Sequence, residues 1–393
     1  MTVVDAAGRT DVFRGGGDGP AVAIRLHSRW LPRRLALNQD LSFGEAFMDG
    51  TLTVEHGDIH AVVSLLMENA DLSGAFWVRR FRRRLARLFR LLQQFNPDAR
   101  SRRNVAHHYD LSGDLYRLFL DTDLQYSCAY FRDADEPLED AQRNKRVHIA
   151  AKLLLDRPGL SVLDIGSGWG GLAMDIARMS GAAVTGVTLS TAQLAVAEER
   201  VRNEGLGDVR FRLQDYRRVE GAFDRIVSVG MFEHVGVGHY PEFFATCRRL
   251  LKDDGVALLH TIGRASGPAA SNPWIRKYIF PGGYSPALSE VVQAIEAAGL
   301  WITDVEVLRY HYADTLRAWR RRFMANRARA VELYDERFAR MWEFYLAASE
   351  AAFRISDHVV FQVQFARSKD AVPDRRDYID RFDRRREADS AAA

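Results

Sequence analysis

The chain has 393 residues, of which 47% are hydrophobic and 27% charged, and its net charge is +3. This length and composition indicate an ordinary globular protein with a large core and two domains. With only two cysteines, the chain has too few for a disulfide framework or a thiolate metal site. It also lacks the HExxH pattern that would indicate a zinc site, so no metal is expected. No run of about 18 apolar residues is present, so no segment is expected to span a membrane. The N-terminus lacks the basic-then-apolar order of a signal peptide, which favours a cytoplasmic location.

The first part of the chain predicts a small domain. Residues 1–20 are polar and rich in glycine, whereas residues 21–70 combine short apolar runs with one helical pattern. We expect an N-terminal lipid-binding or membrane-binding domain at 1–95. A linker and the start of the catalytic helices follow at 96–110, the catalytic domain at 111–370, and an exposed, charged tail at 371–393.

Residues 76–95 predict a basic amphipathic helix. Apolar residues repeat at helical spacing on one face, and seven arginines lie between residues 79 and 90 with no acidic residue among them. Such a helix suits an anionic membrane surface, at about 1 kcal/mol per basic residue near the headgroups. A solvated basic face packed on its own domain is the alternative, and nucleic acid is disfavoured because no stacking platform accompanies the arginines. The expected membrane-binding residues are Arg79, Arg80, Arg82, Arg83, Arg84, Arg87 and Arg90.

From Ser161 the pattern changes to alternating strands and helices. Alternation of this kind implies an α/β fold with a doubly wound parallel sheet, covered by helices on both faces. Gly255 is expected to cap the helix that begins at Tyr240. The predicted strands are 161–166, 182–190, 208–216, 223–236, 255–263, 301–309 and 359–367, and the predicted helices are 170–180, 191–205, 240–255, 287–299 and a long helical insertion at 312–354.

The stretch SVLDIGSGWGG at 161–171 joins a strand to a helix through a glycine turn. This order is typical of a nucleotide-binding sheet, in which a side chain on the turn would block close approach of a ligand to the backbone. The glycine spacing is GxGxG and no dinucleotide pattern follows, which favours S-adenosylmethionine over a dinucleotide. A tight turn that binds no ligand is the alternative.

Polar residues follow each predicted strand, at the sheet edge where such folds bind ligands. Glu233 and His260 fall at neighbouring strand ends, where a carboxylate and an imidazole can serve as base and acid or hold a small ion. A purely structural histidine is the alternative. Cys128 is a candidate nucleophile, although nothing near it in sequence indicates an activated thiol, and a buried apolar thiol is the default.

Several motifs occur in a fixed order between about 95 and 370. They are HHYDLSGDLYRLFLD, QYSCAYF, VLDIGSGWGGLA, GVTLSTAQ, QDYR, FDRIVSVGMFEHVG, LLHTIG, PWIRKYIFPGG and VFQVQFAR, and FGEAFMDG extends the match into the N-terminal part. Together they resemble the cyclopropane-fatty-acyl-phospholipid synthase family, related to the mycolic acid methyltransferases. The chain departs from that pattern at Ser167 and Ser349, where many members carry cysteine.

The resemblance implies a class I methyltransferase fold, a Rossmann-like doubly wound sheet, with a helical insertion that lines a lipid channel. It also implies S-adenosylmethionine as donor, an unsaturated acyl chain of a membrane phospholipid as substrate, a homodimer, and peripheral attachment at the inner face of the membrane. A bicarbonate ion would be held by Cys128, Glu233, His260, Ile262 and Tyr312. The catalytic candidates among them are Cys128, Glu233, His260 and Tyr312. The cofactor residues would be Tyr126, Ser127, Asp164, Gly166, Ser167, Gly168, Gly170, Thr188, Ser190, Gln193, Gln214, Asp215 and Tyr216.

The chemistry of the implied reaction leaves the product open. Attack of an alkene on a methyl sulfonium leaves a carbocation, which needs a dry pocket and can be stabilised by aromatic faces such as that of Tyr312. Loss of a proton from the new methyl group closes a cyclopropane ring. A relative that resolves the cation differently would leave a methyl or methylene branch. A natural-product methyltransferase and a non-catalytic lipid-binding protein are further alternatives.

Overall fold

The computed structural model describes residues 1–15, 19–69 and 112–392, with side chains described as far as residue 384. The predicted basic helix at 76–95, with all seven of its arginines, lies outside the described residues. The same holds for the predicted linker at 96–110.

The N-terminal part forms a four-stranded sheet with two helices. Its elements are β1 (Thr2–Val4), β2 (Thr10–Val12), β3 (Ala23–Leu26), α1 (Leu31–Met48), β4 (Leu52–His56) and α2 (Ile59–Glu68). β1 is parallel to β3 and antiparallel to β2, and β4 is antiparallel to β3. The resulting strand order is β2-β1-β3-β4.

Seven strands form the large sheet of the catalytic part. They are β5 (Ser161–Ile165), β6 (Ala183–Thr188), β7 (Val209–Leu213), β8 (Phe223–Val229), β9 (Leu251–Arg264), β10 (Trp301–Leu308) and β11 (His358–Ala366). The strand order is β10-β11-β9-β8-β5-β6-β7. Strands β5 to β9 are parallel, whereas β11 pairs antiparallel with both β9 and β10. The predicted doubly wound α/β sheet is confirmed.

Helices cover both faces of this sheet, because alternate strand residues are apolar on both sides. They are α3 (Gly113–Arg117), α4 (Leu138–Lys152), α5 (Gly171–Ser180), α6 (Thr191–Glu204), α7 (Tyr240–Leu250), α8 (Pro273–Tyr278), α9 (Leu288–Ala297), α10 (His311–Ala325), α11 (Arg327–Leu333), α12 (Glu336–Ile355) and α13 (Asp377–Ala392). Val162 packs with residues of α4 and α5 on one face, and Leu163 packs with α7 and α9 on the other. Among the described helices, none combines the length and apolar character needed to cross a bilayer.

The helical insertion α10–α12 joins the two sheets through one hydrophobic core. Trp319 and Trp342 of the insertion belong to the same buried cluster as Leu52 and Val62 of the N-terminal part. The N-terminal part also packs closely against α8 of the catalytic part. A Cβ atom on Gly44 of α1 would lie 2.5 Å from the indole nitrogen of Trp274 in α8. The N-terminal part therefore packs directly against the catalytic part in the described structure.

Two expectations from the sequence are wrong. Gly255 does not cap α7, because that helix ends at Leu250 and Gly255 lies inside β9. The register between β8 and β9 shifts there, with Phe223 opposite Leu251 and Arg225 opposite Val256, so the intervening residues bulge out of the ladder. The tail is not fully exposed either, because α13 buries Ile379, which is 2% exposed.

Candidate functional site

A cleft opens at the carboxyl ends of the parallel strands. It contains about 1210 Å³ of empty space, part of it open to solvent, between the loops after β5, β6, β7 and β8 and the segment 124–127. Doubly wound sheets bind ligands at this edge, where helix N-termini and loop side chains converge. Of the predicted cofactor residues, those that line the cleft are Tyr126, Ser127, Asp164, Gly166, Ser167, Gly168, Thr188, Gln193, Gln214, Asp215 and Tyr216.

The glycines after β5 serve two different purposes. Gly168 has a φ of +55°, and a Cβ atom there would have nothing within 4 Å, so this position borders open space. Gly170 has a φ of +85°, and its Cβ would lie 2.6 Å from Cζ of Phe211. Packing of the turn on β7 therefore excludes a side chain at Gly170. This glycine does not line the cleft, in contrast to its predicted role in cofactor binding.

Two buried polar atoms of the cleft, Asp164 Oδ2 and Ser167 Oγ, have no hydrogen-bond partner among the described residues. Burial raises the pKa of Asp164 to about 7, and the positive charge of Lys145 acts against that rise. An unpaired carboxylate oxygen and an unpaired hydroxyl suit a ligand that carries both a cationic donor and hydrogen-bond acceptors. S-adenosylmethionine has an ammonium group and a carboxylate, so the residues present fit it.

Some of the polar side chains after β6 and β7 form hydrogen bonds with other groups of the protein. Thr188 Oγ1 donates to Gln193 Oε1 at 3.1 Å, and Ser190 Oγ accepts from Gln193 N at 3.3 Å as the N-cap of α6. Ser190 does not line the cleft, which differs from its predicted role. Asp215 Oδ1 accepts hydrogen bonds from Arg217 N and Nε at 3.0 and 2.9 Å, so its carboxylate is held in one orientation.

Glu233 and His260 lie at adjoining strand ends. Glu233 occupies a short 3-10 turn after β8, and its Oε1 accepts a hydrogen bond from Ile262 N at 2.6 Å. His260 Nδ1 lies 3.1 Å from Nε2 of Gln362, its partner across β9 and β11. The other two polar atoms, Glu233 Oε2 and His260 Nε2, are buried without a hydrogen bond in the described part of the chain. Neither residue lines the cleft, but Gly230, which does, donates its N–H to His260 O.

Burial sets the protonation of this pair. It raises the pKa of Glu233 to about 7, although the Ile262 N–H acts in the opposite direction. It lowers the pKa of His260 to about 3, helped by the charges of Lys145 and Lys152, so the imidazole is neutral. A neutral imidazole offers one donor and one acceptor, and a carboxylate offers acceptors only. Bicarbonate presents both an O–H donor and acceptor oxygens, so the residues present fit this ion.

Cys128 and Tyr312 lie outside the cleft wall. Cys128 is 2% exposed, and burial raises the pKa of its thiol, which keeps the group protonated. Its Sγ donates only a weak hydrogen bond, to Ala129 O at 3.3 Å. The ring of Tyr312 packs edge-on against Phe353, with centroids 4.7 Å apart, in the aromatic core of the insertion. Their assignment to the ion site remains a prediction from the resemblance.

Sequence reasoning missed residues that the structure places at the site. Gln125 and Trp169 line the cleft. Lys145 and Gln362 are both fully buried, in α4 and β11. The available signal was periodicity, because Lys145 stands four residues before the buried Ile149 on one side of its helix. A lysine at a core position of an amphipathic helix is uncommon and merits a functional explanation.

The comparisons with known proteins agree with this geometry. Residues 97–363 match the family model described as mycolic acid cyclopropane synthetase. The chain is 41% identical over 353 residues to the cyclopropane-fatty-acyl-phospholipid synthase of Escherichia coli K12, covering 89% of each chain. It is 38% identical over 370 residues to the tuberculostearic acid methyltransferase of Mycobacterium tuberculosis, covering 88% of this chain and 84% of the relative.

A solved structure shows the same fold. It is that of the mycolic acid cyclopropane synthase CmaA1 complexed with SAH and CTAB, which is 36% identical and superposes with a TM-score of 0.64. The match covers 69% of this chain and 99% of the solved one. The chain therefore belongs to the mycolic acid cyclopropane synthetase family, and it is an S-adenosylmethionine-dependent enzyme of the cyclopropane-fatty-acyl-phospholipid synthase type.

Proposed function

We propose that this protein forms cyclopropane rings at cis double bonds in the acyl chains of membrane phospholipids, with bicarbonate as the base. The observation that carries the proposal is the buried pair of unpaired atoms, Glu233 Oε2 and His260 Nε2, beside a cleft that fits S-adenosylmethionine. The E. coli relative, named for a phospholipid substrate, supports the substrate class.

The chemistry balances without a redox cofactor. The alkene donates an electron pair to the methyl carbon of the sulfonium, and the carbon–sulfur bond breaks with its electrons moving to sulfur. The alkene is a weak nucleophile, so the cleft must hold the donor in line and close. The carbocation that results must be kept from water, which the aromatic core around Trp319 and Tyr312 favours. Loss of a proton from the transferred methyl group then closes the ring.

The proposed ion site consists of Cys128, Glu233, His260, Ile262 and Tyr312. Bicarbonate bound there supplies a base that accepts the proton lost from the methyl group. Glu233 Oε2 can accept a hydrogen bond from the ion, and neutral His260 can donate one if its proton is on Nε2. Ile262 acts through Glu233, because its N–H fixes the second carboxylate oxygen at 2.6 Å.

A second product remains a candidate, because one relative at 38% identity is named a methyltransferase of tuberculostearic acid. In that case the same alkene is methylated, and the cation loses a proton to the base from a chain carbon, which leaves a methyl-branched alkene, or, after a hydride shift, from the new methyl group, which leaves a methylene branch. The two outcomes share the donor, the acyl substrate and the first bond formed. They differ in how the cation is quenched, so product analysis separates them.

We propose further that the protein acts as a homodimer at the cytoplasmic membrane surface, using the arginines of 76–95. This part rests on the sequence pattern of that segment and on the lipid substrate class. Flotation with anionic and with neutral vesicles measures the charge dependence, and light scattering measures the mass. Equal binding to both vesicle types would contradict an arginine-driven contact, and a monomeric mass would contradict the dimer.

The decisive experiment incubates the protein with vesicles of unsaturated phospholipid and methyl-labelled S-adenosylmethionine. Mass spectrometry of the acyl chains should show a gain of one CH2, and catalytic hydrogenation should leave the product unchanged under conditions that reduce alkenes. Uptake of hydrogen by a labelled product would identify a branched alkene, with a methyl or methylene branch, instead. Turnover should fall in buffer stripped of carbon dioxide and return when bicarbonate is added, and turnover unaffected by stripping would contradict the ion's role.

A further inference from the structure

Helix α4 places two fully buried polar side chains against the segment 125–127, which forms one wall of the cleft. Gln142 Nε2 donates to the carbonyl oxygens of Ser127 at 3.0 Å and Gln125 at 3.3 Å. Lys145 Nζ donates to the side chains of the same two residues, at 2.6 Å to Gln125 Oε1 and 2.8 Å to Ser127 Oγ. The helix therefore holds both the backbone and the side chains of this wall.

The donors and acceptors that each side chain carries determine which atom donates in these hydrogen bonds. In its protonated form Lys145 has three donors and no acceptor, so Gln125 Oε1 and Ser127 Oγ both accept from the ammonium group. The amide of Gln125 is fixed a second time, because its Nε2 donates to Asp123 Oδ2 at 2.7 Å. The hydroxyl of Ser127, having accepted from Lys145, has its own hydrogen free to donate elsewhere. Ser127 lines the cleft, where an acceptor of the ligand can take this hydrogen.

The arrangement is costly for folding. Lys145 is 0% exposed, and both of its hydrogen-bond partners are neutral. Burial lowers the pKa of Lys145 to about 7, although the charges of Asp121 and Asp123 act in the opposite direction. A buried cation that bonds to neutral groups is weak evidence for a stabilising role, since an apolar side chain of the same length would avoid the desolvation penalty.

We propose that Lys145 is a positioning residue for S-adenosylmethionine. It orients Ser127 so that the hydroxyl donates a hydrogen bond to an acceptor atom of the bound S-adenosylmethionine, such as its carboxylate. The inference rests on the proposed use of S-adenosylmethionine in this cleft and deepens it. Lys145 itself does not line the cleft, so it acts through Ser127 and Gln125. Gln142 supports the same wall by holding its backbone.

The test replaces Lys145 with methionine, which keeps the length of the side chain and removes its charge and donors. We expect Lys145→Met to bind S-adenosylmethionine about 10-fold more weakly by calorimetry, the loss of roughly one well-placed hydrogen bond. KM for the donor should rise, whereas KM for phospholipid vesicles should stay unchanged. Ser127→Ala should cause a similar loss. The double variant should be no weaker than Lys145→Met alone, because the two changes remove one interaction.

A matched control is Lys152→Met, two turns further along α4. Lys152 is also 0% exposed, but it pairs with Asp304 at 3.2 Å and with Glu306. Its loss removes the fully buried partner of both carboxylates and leaves them only their contacts with Arg376 and His148, so the control should lower the melting temperature and leave the affinity for S-adenosylmethionine intact. Lys145→Met should show the reverse pattern, with a melting temperature equal to or above wild type. If Lys145→Met is insoluble, Lys145→Gln, which keeps a neutral donor, should give an intermediate affinity.

Unchanged affinity in Lys145→Met, or losses that add up in the double variant, would overturn this inference alone. Failure of the wild-type protein to bind S-adenosylmethionine would overturn the proposed function instead. The two failures are therefore distinguishable in the same set of titrations.

Discussion

Replacement of Glu233 by glutamine tests stability and catalysis together. Burial raises the pKa of this carboxyl from an ordinary value of 4.5 to about 7. In the unfolded chain the group ionises near pH 4.5, but in the folded protein it ionises only near 7. The folded state therefore loses stability as the pH rises from 4.5 to 7, and the full penalty applies above 7. The gap between the two pKa values, at about 1.4 kcal/mol per pH unit, corresponds to about 3 kcal/mol.

Glu233→Gln removes the ionisation and keeps an oxygen that can accept from Ile262 N. The pKa of about 7 already includes the hydrogen bond from Ile262 N, which favours the ionised carboxylate, so this bond needs no separate correction. The variant should therefore be more stable than wild type by about 3 kcal/mol at pH 8, with a gain of less than about 1 kcal/mol at pH 5. Turnover on unsaturated vesicles should fall by about 100-fold or more, as expected when the ion that serves as the base is no longer held in place. Affinity for S-adenosylmethionine should persist, because Glu233 does not line the cleft.

Thermal and denaturant unfolding at pH 5 and pH 8 measure the stability difference, and calorimetry measures donor binding. Glu350→Gln is a matched control, because Glu350 is 2% exposed but accepts a hydrogen bond from Arg320 Nε at 2.8 Å. That control should lose stability at pH 8, since it leaves Arg320 without its buried partner. A stability difference for Glu233→Gln that is the same at both pH values would refute the buried, perturbed carboxylate. Full turnover on vesicles would refute its role in the ion site.

Three further outcomes are expected. Turnover should decline as the pH falls below about 7, because Glu233 and Asp164, whose pKa values burial raises to about 7, become protonated; a pH–rate profile that is flat from 6 to 8 would contradict this. Gly170→Ala should destabilise the fold by about 2 kcal/mol, because its φ is +85° and its Cβ would lie 2.6 Å from Cζ of Phe211; in thermal melts the same change should cost less in a Phe211→Ala background than in wild type, and an equal cost would contradict the clash. Ile379→Asp places a charge at a buried position of α13, so it should lower the melting temperature and speed hydrogen exchange across 377–384. Unchanged exchange would mean that packing of this helix does not depend on Ile379.

Local sequence signals were sufficient for most elements of the sheet. The apolar run at Val162 and Leu163 predicted β5, and the helical spacing at 287–299 predicted α9 at Leu288–Ala297. These patterns work because burial on both faces of a parallel sheet demands continuous apolar strands, and helices between them need a 3.6-residue period. The point at which a strand ends also depends on neighbouring residues in the sequence. The loops that follow the strands and line the cleft were therefore predictable together.

The boundary between α7 and β9 was not predictable in the same way. The residues Lys252–Gly255 are polar and end in glycine, which is typical of a helix cap, yet they form a bulge of a strand. Pairing of β9 with both β8 and β11 decides this, and that pairing joins residues far apart in sequence. The buried position of Ile379 depends in the same way on contacts that α13 makes with the body of the protein.

Sequence patterns alone predicted the fold class, the methyl donor and the two candidate site residues Glu233 and His260, because each prediction depends on a local pattern or on motifs in a fixed order. The tertiary structure alone decided which atoms of those residues stay unpaired, since Glu233 meets Ile262 from 29 positions away. It also decided that Lys145 supports the wall of the cleft from behind, through hydrogen bonds to the lining residues 18 and 20 positions earlier. Hydrogen bonds between distant segments are set by packing in three dimensions, which periodicity along one chain does not encode.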